Sequence, residues 1–301
     1  MKILFCSDGS AQAENAVRFG ALIAAPCQAE TSILGIAEKA GDLEPLTKAL
    51  LREQYILKEH YLNAEMITKA GRPVREIVKR TRENSYDLVV IGAVRKGTRG
   101  PVSMSARAYE IIESTALPVL VVIGERPDLR RILLCTDGTP YDDRAMKFAG
   151  EIARNVNAVV DLIHVTAEPP AIYADLIELE EDVDRVLSSN SKLGRSLRHQ
   201  KESLEQFGVF GDFLLRHGLV VPELLKALQL TGYDLVMVGS SPTENMLRQY
   251  VMGDVTRELV DRAELPVLVM RTEPKRLAHR LIGILSRLLR RPGEVSGAAS
   301  S

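Results

Sequence analysis

The chain has 301 residues, 46% apolar and 26% charged, which is length enough for two ordinary domains and apolar mass enough for a core in each. Lys and Arg number 39 against 40 Asp and Glu, aromatics make up 5% and Trp is absent, so no nucleic-acid partner is expected from charge or base stacking. Cys6, Cys27 and Cys135 show no paired spacing, Met1 leads straight into a strand-like run, and no apolar stretch approaches the roughly 20 residues of a membrane span, so a cytoplasmic protein is expected.

In chain order, Ile3–Cys6 is a short run apolar on both faces, the pattern of a parallel strand covered on both sides. Asp8-Gly9-Ser10 then supplies turn and cap residues ahead of a helix at about 11–24. A second strand follows within TSILGIAE at 31–38, and Gly71-Arg72-Pro73 precedes a helix at about 73–84. Leu88–Ile91 and Val119–Val122 are two further buried strands, and 124–129 reads as a short linker.

Past the linker the pattern starts again. KILFCSDGS at 2–10 returns as RILLCTDGT at 131–139, and TSILGIAE at 31–38 returns as VDLIHVTAE at 160–168, both offset by 129 residues. YDLVVIG at 86–92 returns as YDLVMVG at 233–239, and ALPVLVVI at 116–123 as ELPVLVMR at 264–271. The halves therefore match, save for about 18 extra residues between 166 and 218. That insertion holds Glu178, Glu180, Glu181, Asp182 and Asp184 and reads as a longer solvated second helix. Five strands and four helices per half predict two doubly wound α/β sheets, packed as a pseudo-symmetric pair.

In such sheets ligands sit beyond the carboxyl ends of the strands, where strand order reverses. Three segments should meet there: Asp8-Gly9-Ser10 or Asp137-Gly138-Thr139, the second strand's end at Ile36 or Val165, and the glycine-bearing loop after the fourth strand. Asp8 and Asp137 have an alternative role as caps of the turns that follow them. The five histidines have no metal-ligand spacing, and His164, alternating with apolar residues, reads as structural. No P-loop, G-x-S-x-G or H-E-x-x-H occurs, so no catalytic residue is assigned and at most weak ATP hydrolysis is expected.

A strand ending in D-G-S/T, a D-L-V-V-x-G strand, a glycine loop leading into a helix and a closing x-P-V-L-V-V strand together resemble the universal stress protein family, over about 2–123 and 130–271. The resemblance implies a five-stranded sheet of order 3-2-1-4-5 (Rossmann-like) and ATP or another adenine nucleotide in the crevice, with Mg2+ where a triphosphate is held. It also implies a stress-response regulator rather than a catalyst. The family's ATP-binding members carry G-x2-G-x9-G-S/T in the loop. Here Gly92 matches the first glycine, Arg95 and Ser105 stand at the next two, and Lys96 and Arg99 add cations that can replace backbone contacts to phosphate. In the second half Gly239 and Gly253 match, while Pro242 and Asp254 do not.

The expected organisation is thus one domain over 1–124, a second over 130–272, a basic amphipathic helix over 275–291 and a disordered tail over 292–301. Leu277, Leu281, Ile284, Leu285, Leu288 and Leu289 form an apolar stripe among basic residues, which suits packing on the domain pair, self-association, a protein partner or peripheral membrane contact. A module without nucleotide, docked through this helix to a partner or membrane surface, is the alternative function.

Overall fold

The computed structural model of the chain describes residues 1–93, 95–96, 103–104, 106–139, 143–166, 183–240 and 255–271. The first half runs β1 (Lys2–Ser7), α1 (Ala11–Ala24), β2 (Glu30–Ala37), α2 (Leu43–Glu59), β3 (Ala64–Ala70), α3 (Pro73–Glu83), β4 (Leu88–Gly92), a two-residue pair β5 (Arg95–Lys96) and β6 (Ser103–Met104), α4 (Ala106–Ser114) and β7 (Val119–Val122). The second runs β8 (Arg131–Thr136), α5 (Asp143–Val156), β9 (Val159–Thr166), α6 (Val183–Ser188), α7 (Lys192–Phe207), β10 (Phe210–His217), α8 (Val220–Thr231), β11 (Leu235–Ser240), α9 (255–262) and β12 (Val267–Arg271).

Within each half the strand order is 3-2-1-4-5, all parallel: β3-β2-β1-β4-β7 and β10-β9-β8-β11-β12. Alternation along the strands explains the doubly apolar runs. Ile3, Phe5, Leu88 and Val90 face α1 and α2, whereas Leu4, Val89 and Ile91 face α3 and α4. The fifth strands then pair antiparallel, Val119 with Val269 and Val121 with Val267, so one ten-stranded sheet crosses the whole molecule. The packed, pseudo-symmetric arrangement expected from the repeat takes this form.

The repeated Tyr-Asp dipeptide fastens the strands' amino ends, opposite the crevice. Asp87 Oδ2 accepts the backbone N–H of Lys2 at 2.7 Å, and Asp234 Oδ2 accepts those of Arg130 and Arg131 at 2.8 and 3.0 Å. Tyr86 and Tyr233 are buried, and their hydroxyls donate to Ser32 Oγ at 3.2 Å and Asp161 Oδ2 at 2.7 Å. Asp161 is wholly buried in β9 and also takes Arg131 Nη2 at 2.7 Å and the N–H of Asp212 at 2.9 Å, so its charge is paired and hydrogen-bonded.

The insertion differs from expectation where it is described. α7, with 16 residues, is no longer than the 17-residue α2, and a separate short helix, α6, precedes it. The break falls at Ser189–Ser191, where Ser191 Oγ accepts the N–H of Gly194 at 2.9 Å and caps α7 anew. The acidic residues 178–182 lie outside the described residues, as do the basic helix 275–291 and the tail 292–301. No described helix is long and apolar enough to cross a membrane.

Candidate functional site

The crevice in the first half opens where β1 and β4 part, with α1 leaving to one face and α4 to the other. Its floor is the turn from Ser7 to Ser10. Gly9 takes φ +78°, a conformation in which other residues are strained. Asp8, exposed, accepts the N–H of Ser10 with Oδ1 at 3.0 Å, and Ser10 Oγ accepts that of Ala13 at 3.2 Å, capping α1. Asp8 therefore holds the turn while presenting its carboxylate at the surface. The first-turn N–H groups of Ala11 and Gln12 have no acceptor within their own helix.

Gly92 ends β4 beneath the first turn of α1. A Cβ there would lie 2.3 Å from the Gln12 carbonyl oxygen, so the close approach that demands glycine is to the protein's own backbone. Ile36, the last residue but one of β2, is 7% exposed and packed with Ile91 and Ala93, so what it offers the crevice is mainly backbone. Arg95 and Lys96, three and four residues after Gly92, pair with Met104 and Ser103, which makes the start of the expected loop a small hairpin. Ser105, Gly97, Arg99 and Gly100 fall outside the described residues.

Two features of the first half were not singled out in the sequence. Arg107, early in α4, binds Glu38, just past β2, at 2.8 Å. The other is Glu53, buried on α2 at 1% exposure. Ser7 Oγ donates to Glu53 Oε1 at 2.6 Å and accepts the N–H of Gly9 at 3.0 Å, while Oε2 is buried without a partner among the described residues. Burial pushes this carboxyl up to about 7, the Ser7 hydrogen bond opposes, and Glu14 and Asp8 add to the rise. The available signal was a carboxylate on the stripe Leu46, Ala49, Leu50, Glu53, Ile56 and Leu57, where every other residue is apolar.

The second half repeats the turn with different chemistry beneath it. Asp137 Oδ1 accepts from the N–H and hydroxyl of Thr139 at 2.9 and 2.6 Å, and Gly138 takes φ +72°. Gln200 stands where the first half has Glu53, and its Nε2 donates to the Thr139 carbonyl at 2.9 Å. His164, buried in β9, donates from Nδ1 to the Thr136 carbonyl at 3.0 Å, and burial lowers its pKa. His217 Nδ1 meets Thr166 Oγ1 at 2.7 Å. Val165 and Gly239 are the last residues but one of β9 and β11, whereas Pro242, Gly253 and Asp254 lie outside the described residues. No group of three metal-ligating side chains occurs among the described residues.

Both halves match known proteins. The sequence model of the Universal stress protein family fits residues 1–122 and 128–271. The chain is 24% identical over 146 residues to universal stress protein YxiE of Bacillus subtilis, covering 47% of this chain and 98% of the relative. Among solved structures, a universal stress protein of Archaeoglobus fulgidus superposes with a TM-score of 0.65 at 16% identity over 90% of this chain and 98% of its own. A putative universal stress protein of Pseudomonas aeruginosa superposes with a TM-score of 0.67 at 16% identity, over 95% and 97%.

Proposed function

Because this chain belongs to the universal stress protein family through both of its halves, we propose that it is a stress-response regulator that binds an adenine nucleotide, ATP in the first instance, in the crevice of its first half. The supporting observation is the Ser7–Ser10 turn: a positive-φ glycine, an outward carboxylate and the amino end of α1 converge at the switch point of the sheet. Asp8 accepts hydrogen bonds from the ribose hydroxyls. The N-terminal turn of α1 and the backbone of Gly92, Arg95 and Lys96 face the phosphates, with Mg2+ accompanying a triphosphate. The output is regulation by occupancy: the one hydroxyl–carboxyl pair of the turn, Ser7 Oγ and Glu53 Oε1 at 2.6 Å, is buried beneath it rather than open to a ligand.

Asp137, Gly138, Thr139, Val165, Gly239 and Gly253 are the corresponding set in the second half, and we assign them the weaker site. The test is calorimetric titration of ATP and magnesium into the intact protein, with mass spectrometry of any nucleotide released on denaturation. One nucleotide per chain is expected, with affinity falling about tenfold in Asp8→Ala and little in Asp137→Ala. Absence of both heat at millimolar ATP and released nucleotide would overturn the reading.

A further inference from the structure

Between α3 and α4 lies an open groove of about 830 Å³ that begins at Glu38, just past β2, and runs down the outer face to Glu83 and Ser114. Its volume is that of a small-ligand site. Asp8 and Gly92 do not line it, so it is distinct from the crevice. Arg72, Arg75, Lys79 and Arg82 line it from the α3 side and Arg107 from α4. Spacings of three, four and three residues put the first four along one side of the helix, over roughly 15 Å at 1.5 Å per residue.

Three carboxylates also line the groove, Glu38, Glu83 and Glu110, so basic groups are in excess by two. Glu38 is engaged by Arg107, and Glu83 approaches Lys79 only to 3.9 Å. Arg72, Arg75 and Arg82 are exposed, and none forms a salt bridge with another described residue. Solvated faces elsewhere in the protein carry compensating pairs, such as Glu14–Arg18 on α1 and Glu44–Lys48 on α2.

The fold does not require these cations, and the second half demonstrates it. Residues 71–92 and 218–239 align without a gap, and α8 buries Leu224 where α3 buries Ile77. Yet Leu219, Pro222 and Gln229 stand in place of Arg72, Arg75 and Arg82, with Lys226 alone retained. Val255 takes the place of Arg107. The same helix on the same sheet is built without the charge.

We propose that this groove binds a linear oligophosphate anion, with the guanidinium groups of Arg72, Arg75 and Arg82 bridging successive phosphoryl groups. Guanidinium forks match phosphate oxygens two at a time. The apolar lining amounts to Pro73, Val74 and Val78, and no aromatic ring is present to stack on a base. The anion can be a free oligophosphate or the phosphate tail of a nucleotide whose base stays outside the groove.

The test is calorimetric titration of sodium tripolyphosphate into the full chain at low ionic strength. One site per chain is expected, with affinity lower by at least about tenfold in Arg75→Ala/Arg82→Ala and diminished by added salt. Both side chains are in solvent, so thermal melts of the double variant should superimpose on the parent. The same titration with ATP separates the sources. An ATP affinity that falls with the arginines identifies a nucleotide tail, and one that does not identifies free oligophosphate. Equal tripolyphosphate affinity in parent and double variant, loss in Asp8→Ala alone, or no heat at all would overturn the proposal. Failure of nucleotide binding in the crevice would leave it standing.

Discussion

A carboxyl group buried with one oxygen unpartnered ionises reluctantly, and Glu53 is in that position beneath the Ser7–Ser10 turn. Its ionisation moves from 4.5, the ordinary value, to about 7 in the folded protein. Between those values the unfolded chain has released a proton that the native one keeps. Stability therefore falls as pH rises through that window and is level on either side. The loss is on the order of 3 kcal/mol. Glu53→Gln, which copies Gln200, should leave stability below pH 4.5 nearly unchanged and raise it by up to about that amount at pH 8. Urea melts at the two pH values check this, and parallel pH profiles for parent and variant would sink it. Gly92 offers a steric prediction at the same scale. Gly92→Ala places a methyl 2.3 Å from the Gln12 carbonyl oxygen and should cost about 2 kcal/mol or more, whereas Gly41→Ala meets nothing within 4 Å and should be near neutral. Thermal melts of the pair decide it.

Elements that end on local signals were legible in the sequence. α1 spans the residues expected of it because Ser10 caps it from within the D-G-S motif, and α3 stops one residue short of expectation, at Glu83. The central strands β1, β4 and β7 were legible because alternate residues feed two separate cores, leaving no polar position within Ile3–Cys6, Leu88–Ile91 and Val119–Val122. What was not legible depends on tertiary distance. Nothing near residue 53 in the chain says that Ser7 lies 2.6 Å away, and nothing around residue 95 announces a hairpin closed by Ser103 and Met104. The insertion misled for a related reason: the run of charge hid the serine cap that restarts the helix at Lys192. The candidate crevice was legible as backbone, at Asp8, Gly9, Ser10 and Gly92, but its buried carboxyl was not. Among the strands, β9 carries the costliest polar commitment. Asp161→Ser, the residue the first half has at the same place, strips an acceptor from Tyr233, Arg131 and the Asp212 N–H at once. It should destabilise by about 2–4 kcal/mol, the lower end being favoured because the Arg131 side chain is 39% exposed and can recover water. Chemical denaturation measures it, and a neutral result would mean that the network is not under load.

For the molecule as a whole, the seam between β7 and β12 joins the halves. It is backed by Tyr109, whose ring lies 4.7 Å from the Arg257 guanidinium and whose hydroxyl donates to the Arg257 carbonyl at 3.2 Å. On the linker, Arg126 reaches across to the Glu264 carbonyl at 3.0 Å. A fragment of residues 1–124 would bare the β7 edge at Val119, Leu120 and Val121, an unpaired template for another strand. Sedimentation of that fragment should show a self-associated dimer, and Val121→Pro within it, which removes an N–H on the bared side of β7, should give monomers. A monomeric parent fragment would show that the seam is weak without the linker.

That seam also fixes an inheritance. Two separate chains pairing through identical edges would sort at random, and any mutation would appear in both members of a symmetric assembly. Here a tether of a few residues, 124–129, holds one edge beside the other at an effective concentration that dilution in the cell cannot lower. Every molecule therefore carries one copy of each half, so Glu53 can sit opposite Gln200, and an arginine-rich α3 opposite a leucine-rich α8, without ever mixing. Covalent linkage makes the pairing of two chemically unlike halves obligate, with one of each in every molecule.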